Sequence, residues 1–266
     1  MLLPLTSGNV ILAIKEFIKV WITQIIYYNE IYPVEIFDKV KSFDLIVFES
    51  RNPNLNKYIE SFVKEFVQVL VFGSQEGKNA GGHNKSNVEG GKVNKMIVII
   101  YDEKTTKNMR EYKLNFDKLI DLSSTVKSLD LLDESFQNST EDTIEKSSII
   151  NIPGFTWKEI YSQFKSILYL HVIELKRLQS QLQQVPINDY NFSSSHNNNN
   201  NFFRLLINVS DSIDLNFSEN SKDLIPSNWI KLNNGKSDKK KNTKFIPIGE
   251  VSIGFICFDL YNEYLR

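Results

Sequence analysis

Residues 10–30 place Ile14, Phe17, Ile18, Trp21, Ile25 and Tyr28 at helical spacing, so branched and aromatic side chains cover one broad face. A face this wide and this aromatic points to a helix lying flat on a sheet, which commits the chain to a layered fold. Lys15, Glu16, Lys19 and Gln24 interrupt the run and make it too polar for a membrane span. No signal peptide with a small-residue cleavage site precedes it, so a soluble intracellular protein is expected. Ile31-Tyr32-Pro33 ends the helix, because proline disfavours helix in the residue before it.

The remaining pattern supplies the other layers. Asn52 is a suitable cap and Pro53 suits a first helical position, after which Leu55, Ile59, Phe62, Phe66 and Leu70 follow a 3–4 spacing. A short strand is expected at 45–49 between these helices. The continuous apolar run 96–101 (MIVIIY) suits a central strand, and 110–116 alternates as its hairpin partner across 102–108. A third helix opens at Thr156-Trp157-Lys158-Glu159 with capping-box spacing and carries Ile160, Phe164, Ile167, Leu168, Leu175, Leu178 and Leu182, with Pro186 as its stop. Residues 202–209 read as a strand, and 245–264 as a β-rich finish. The expected fold class is α+β, with three helices packed on an antiparallel sheet, in one domain spanning 1–266. Flexible insertions are expected at 73–94, 121–155, 193–201 and 234–243, the first holding six of the 11 glycines and the third five consecutive asparagines.

Composition narrows the function classes. Apolar residues make up 41% of the 266, including 18 Phe and 11 Tyr, which is enough for a sizeable core. Thirty-one basic residues against 32 acidic give a net charge of −1, so direct, sequence-independent binding to phosphate backbones has no basic excess to draw on. Lys236, Lys239, Lys240, Lys241 and Lys244 form a small basic run that reads equally as a nuclear-localisation or DNA-facing loop and as a solvated one. Cys257 is the only cysteine, which excludes an internal disulfide; its apolar surroundings suggest core filler. His83, His171 and His196 lie far apart with no zinc spacing, and His171 on the third helix is expected to be solvated or hydrogen-bonded. Gly73–Lys78 misses the phosphate-loop motif, with three residues between the glycines and Asn79 after the lysine. No catalytic, cofactor-binding or metal site is expected, and no enzyme.

Three stretches carry a resemblance. Tyr27-Tyr28-Asn29-Glu30-Ile31-Tyr32-Pro33-Val34-Glu35-Ile36-Phe37 resembles a "YxxxYP…F" stretch, and Asn52-Pro53-Asn54-Leu55-Asn56-Lys57-Tyr58-Ile59 an "HPxLxxYI" helix start. Ile225-Pro226-Ser227-Asn228-Trp229-Ile230, followed by Phe245-Ile246-Pro247-Ile248, is similar to a tryptophan-centred and "LIPL" C-terminal region. Together and in this order they resemble the HORMA-domain family, in particular its polymerase zeta accessory subunits.

The resemblance implies a HORMA core at about 9–209 and a C-terminal safety belt at about 210–266 that closes over an extended partner peptide. It implies a non-catalytic nuclear adaptor, without cofactor or membrane contact and meeting DNA only indirectly, that joins the catalytic subunit of DNA polymerase zeta to the C-terminal domain of a Y-family scaffold polymerase in translesion synthesis. A spindle-checkpoint or meiotic-axis adaptor is the alternative. Tyr58 and Trp229 match residues that contact the catalytic-subunit peptide, and Tyr58 stands one position off the Leu55–Ile59–Phe62 stripe. Phe245, Asp259 and Tyr261 match the scaffold-polymerase surface, with Asp259 where relatives carry an amide. Lys165 stands where some relatives self-associate around an arginine, which makes a homodimer an expectation of the same resemblance.

Overall fold

The computed structural model describes residues 5–72, 93–119, 156–183, 201–209, 243–253 and 256–265. Helix α1 (Ser7–Tyr28) starts at Thr6, whose hydroxyl accepts a 3.3 Å hydrogen bond from the Asn9 N–H. Its burial exceeds the one expected face: Ile11, Val20, Ile22 and Ile26 are shielded along with Phe17, Trp21 and Ile25. It is therefore a central helix rather than a surface one. Tyr27 stacks on Phe48 at 3.5 Å between ring centroids, and Phe17 meets Phe164 at 4.8 Å and Phe258 at 5.4 Å.

A 3₁₀ turn (Val34–Ile36) leads into β1 (Phe37–Ser42) and β2 (Leu45–Ser50), which pair antiparallel as a separate two-stranded sheet. The short strand expected at 45–49 is thus half of a hairpin. Phe43 and Asp44 in its turn have φ of 48° and 56°, as a two-residue type I′ turn requires. A phenylalanine is unfavourable there, but Phe43 is buried against Phe17 and Phe164, and that packing holds the turn.

Helix α2 (Pro53–Phe72) begins as expected, with the Asn52 side-chain oxygen accepting from the Asn54 and Leu55 N–H groups. Strands β3 (Val93–Asp102) and β4 (Asn108–Leu119) form the hairpin read from the sequence. Helix α3 (Trp157–Gln183) starts at Thr156, whose hydroxyl accepts from the Glu159 N–H at 3.2 Å. Strands β5 (Asn201–Val209), β6 (Thr243–Ile253) and β7 (Ile256–Leu265) complete a five-stranded antiparallel sheet ordered β5-β3-β4-β7-β6. The α+β expectation of three helices on an antiparallel sheet holds, with the β1–β2 sheet added. Between β6 and β7 the register shifts at Pro247/Gly249. The expected insertions at 121–155, most of 73–94, 193–200 and 234–242 lie outside the described residues, as does Pro186, while Asn201 already belongs to β5. Strand β3 already begins at Val93 and β6 at Thr243.

Polar side chains stitch the layers together. The buried Gln24 amide donates to the Phe48 carbonyl at 2.8 Å and accepts from the Phe48 N–H at 3.1 Å, so α1 completes the backbone pairing of β2. Asn29 donates to the Ile25 carbonyl at 2.8 Å, while its oxygen accepts from Arg110 at 2.8 Å and from the Tyr112 hydroxyl at 3.0 Å. All three residues are buried, so the end of α1 is tied to β4.

Two expectations are corrected. His171 is not solvated: it is fully buried between Trp21 and Tyr112, with the Asn262 side chain as its polar neighbour and neither ring nitrogen in a well-formed hydrogen bond. Burial pushes its pKa down to about 3, with the adjacent Asn262 amide working weakly against that shift. Cys257 is not core filler. Strand alternation sends Phe258 and Leu260 inward and leaves Cys257 partly exposed on the outer face, where its thiol donates to Glu250 at 3.4 Å.

Among the described residues no helix is long and apolar enough to cross a membrane. No group of three or more His, Cys, Asp or Glu among them is placed to hold a metal ion.

Two measurements follow from the buried polar groups. Gln24→Leu strands the Phe48 N–H and carbonyl, and should cost about 1–3 kcal/mol in urea unfolding. His171 takes up a proton more readily unfolded than folded, so its contribution is complete near neutrality and is lost as pH falls through 6.5 toward about 3. By pH 5 that loss should reach about 2 kcal/mol, and His171→Phe should flatten the pH 5–7 dependence of unfolding free energy relative to wild type.

Candidate functional site

An open cleft of about 500 Å³ lies where the start of α2, the segment after α1, the β3–β4 turn and the first residues of β5 converge. Tyr32, Leu55, Tyr58, Glu103 and Phe203 line it, among others. Each wall has a local cause. Pro33 turns the chain out of α1 and leaves Tyr32 on the rim; the Asn52 cap starts α2 and sets Tyr58 one turn in; strand alternation turns Phe203 toward the helices and Phe202 away.

Tyr58 is 49% exposed although its helix neighbours Leu55 and Ile59 are buried. Its ring stands edge-on to Phe203 at 5.9 Å, and Tyr32 meets Phe203 at 6.5 Å. Partial burial, and then the nearby Tyr32 and Tyr101 phenols, push the Tyr58 hydroxyl above its ordinary pKa, so it stays a hydrogen-bond donor throughout the physiological range. Beside it runs β5, an edge strand paired on one side with β3 in unbroken register from Asn201 to Asn208. Among the described residues nothing pairs with its other side. A row of backbone donors and acceptors therefore borders an aromatic cleft, which suits capture of an extended peptide as an added strand.

The other residues singled out from sequence fall elsewhere. Trp229 lies outside the described residues. Phe245 and Tyr261 come together on the outer face of the β6–β7 hairpin, with ring centroids 5.0 Å apart and Phe245 57% exposed. Asp259 follows on the same face of β7, opposite Asn115 of β4 and Glu250 of β6. The Tyr261 hydroxyl accepts from Lys95 at 3.1 Å, and Lys113 sits between Glu111 at 2.9 Å and Glu263 at 2.6 Å. This face is thus a charged mosaic with an aromatic pair. It starts three strands from β5, about 14 Å across the sheet. Lys165 is exposed on α3, in line at four-residue spacing with the exposed Tyr161, Tyr169 and Ile173. Of the lysine run, only Lys244 is described, and it is exposed.

Sequence reading missed Tyr32, Glu103 and Phe203 as cleft residues. The adjacent aromatics Phe202 and Phe203 carried the available signal, since neighbours on a strand face opposite ways and one had to leave the outer face. Glu103 comes in through the β3–β4 turn, which is visible only once the hairpin is placed over α2.

Three helices covering one face of an antiparallel sheet, with a C-terminal hairpin on the edge opposite β5, form the HORMA-domain fold. A chain of the mitotic checkpoint complex superposes with a TM-score of 0.56 over 98% of this chain and 99% of its own, at 12% identity. Caenorhabditis elegans HTP-2, bound to HTP-3 closure motif 1, superposes at 0.51 over 98% and 88%, at 10% identity. Sequence points to a particular relative: the chain is similar to the processivity subunit of DNA polymerase zeta from Schizosaccharomyces pombe, 39% identical over 59 residues. That match spans 22% of this chain and 28% of the relative. No protein-family model matches.

The exposure of Tyr58 predicts its behaviour in isolation. Tyr58→Ala should change folding stability by no more than about 0.5 kcal/mol, whereas Phe66→Ala on the buried side of the same helix should cost about 3–5 kcal/mol, both read by denaturant unfolding.

Proposed function

We propose that the chain is a non-catalytic adaptor subunit of DNA polymerase zeta, a single HORMA domain with its core at about 9–209 and a closing segment at about 210–266. An extended, proline-containing segment of the catalytic subunit adds to β5 and lays its side chains in the cleft at Tyr58, while the closing segment, with Trp229, holds it in place. Backbone pairing supplies affinity and the aromatic cleft reads side chains. Encirclement makes the complex long-lived, because release waits for opening. The hairpin face of Phe245, Asp259 and Tyr261 receives the C-terminal domain of the Y-family scaffold polymerase, so that the adaptor bridges inserter and extender in translesion synthesis in the nucleus. The α3 stripe around Lys165 pairs with a second copy.

The observation that carries this reading is the edge of β5, which no described strand pairs with, beside a half-exposed tyrosine. The HTP-2 structure, of the same fold, holds a closure motif from another protein. The 59-residue likeness to the fission-yeast polymerase zeta subunit favours that pathway over a checkpoint or meiotic-axis adaptor, for which the support is likeness of fold at 12% identity or less.

Pull-down and titration with the catalytic subunit's proline-containing segment test the reading. Tyr58→Ala and Trp229→Ala should each weaken binding by about 30-fold, corresponding to roughly 2 kcal/mol for a buried aromatic anchor. Wild-type affinity in both variants would remove the clamp. Sensitivity of a null strain to ultraviolet light rather than to spindle poisons would separate the two pathways.

A further inference from the structure

We propose that two polar clasps on α3, Gln163 at one end and Glu174 at the other, fasten the β6–β7 hairpin as a detachable strap and set how long it stays docked. This rests on the reading that the hairpin belongs to the segment closing over the partner, and names residues that would time its release.

Gln163 holds the strap as Gln24 holds β2. Its amide accepts from the Ser252 N–H at 3.1 Å and donates to the Ser252 carbonyl at 3.4 Å. The two glutamines differ in surroundings. Gln24 is fully buried, so breaking its pair strands backbone groups away from water, whereas the Gln163 pair is exposed and water can replace it. The same device is permanent in one place and exchangeable in the other.

At the far end Arg177 grips Glu174 in a fork of 2.7 and 2.6 Å, and the Tyr264 hydroxyl donates to the same carboxylate at 3.0 Å. Burial works to raise the Glu174 carboxyl, but the hydrogen bonds from Arg177 and Tyr264, with the charges of Arg177 and Lys244, outweigh it and hold the carboxylate below its ordinary range. Tyr264 and Lys244 come from the strap itself, on β7 and β6, and stand opposite each other in register.

Between the clasps, the seat is uneven. The inward residues of β7 begin apolar with Phe258 and Leu260 and turn polar with Asn262 and Tyr264. Beneath that polar half, the Asn262 side chain meets the buried His171 ring, and the Asn262 oxygen and both His171 nitrogens are left without a well-formed hydrogen bond. Orphaned groups gain hydration when the strand above them lifts, so this half of the strap is undercut by its own seat. Detachment begins at Asn262–Tyr264, with Phe258 and Leu260 parting last, and the clasps are what hold the undercut half down.

Hydrogen exchange on the full chain without partner tests this directly. In Gln163→Leu/Tyr264→Phe, amides of residues 256–265 and 243–253 should exchange at least about tenfold faster, while those of residues 10–26 and 96–100 keep wild-type rates. The single variants should give smaller changes confined to the same strands, β6 first for Gln163→Leu and β7 first for Tyr264→Phe. Unchanged exchange of the hairpin would overturn the proposal. So would equal acceleration of hairpin, α1 and β3, the sign of general destabilisation. Because no peptide is added, a chain that opens locally in this way supports the clasps even if it captures no peptide, a result that would count only against the adaptor reading.

Discussion

Burial of α1 on nearly all sides is the constraint on which the rest of the molecule depends. Phe17 and Trp21 reach the sheet and α3, while Tyr27 meets the β1–β2 hairpin, so one helix is the common neighbour of the other layers. Glu16 keeps one strip of the helix open to water, and where the helix is enclosed its amides find a structural use. Gln24 substitutes for a neighbouring strand beside β2, and Asn29 receives Arg110 and Tyr112 from β4. These amides fix the angles at which the hairpin and the sheet meet α1, which apolar contact alone leaves free to slide. The mouth of the cleft is set by the same segment, because the chain leaves α1 at Asn29 and reaches Tyr32 three residues later.

The surfaces on offer are distributed accordingly. The core-facing side of the sheet is spent on the helices, while Phe245 on the outer face and Tyr161, Tyr169 and Ile173 on α3 stay exposed. The β5 edge with its cleft, the Phe245–Tyr261 face and the Lys165 stripe lie in three different places.

Elements with strong local signals were legible in the sequence. The Asn52–Pro53 start of α2, the Thr156 cap of α3 and the run at 96–101 all stand within a few residues of their expected places. Signals that depend on distant neighbours were not. The partner of 45–49 was missed because β1 is polar and its turn puts a phenylalanine at positive φ, which only contacts to Phe17 and Phe164 sustain. His171 had no feature to distinguish a solvated site from an enclosed one, since the rings around it come from α1 and β4. Tyr58 could be found from its offset against the apolar stripe. Tyr32 and Glu103 could not, because the cleft exists only after four separate segments have met.

The two rims of the large sheet are unlike, and this governs how copies of the molecule can meet. The β6 rim contains Pro247, which has no amide to donate, a break in register beside it, and the cation Lys244; such a rim resists further strands. The β5 rim is regular and prolineless over Asn201–Asn208. Of the two rims of the large sheet, then, the β5 rim is the receptive one among the described residues. Strand addition to the large sheet is thereby directed to one rim, where backbone donors and acceptors run in unbroken register, and away from the other.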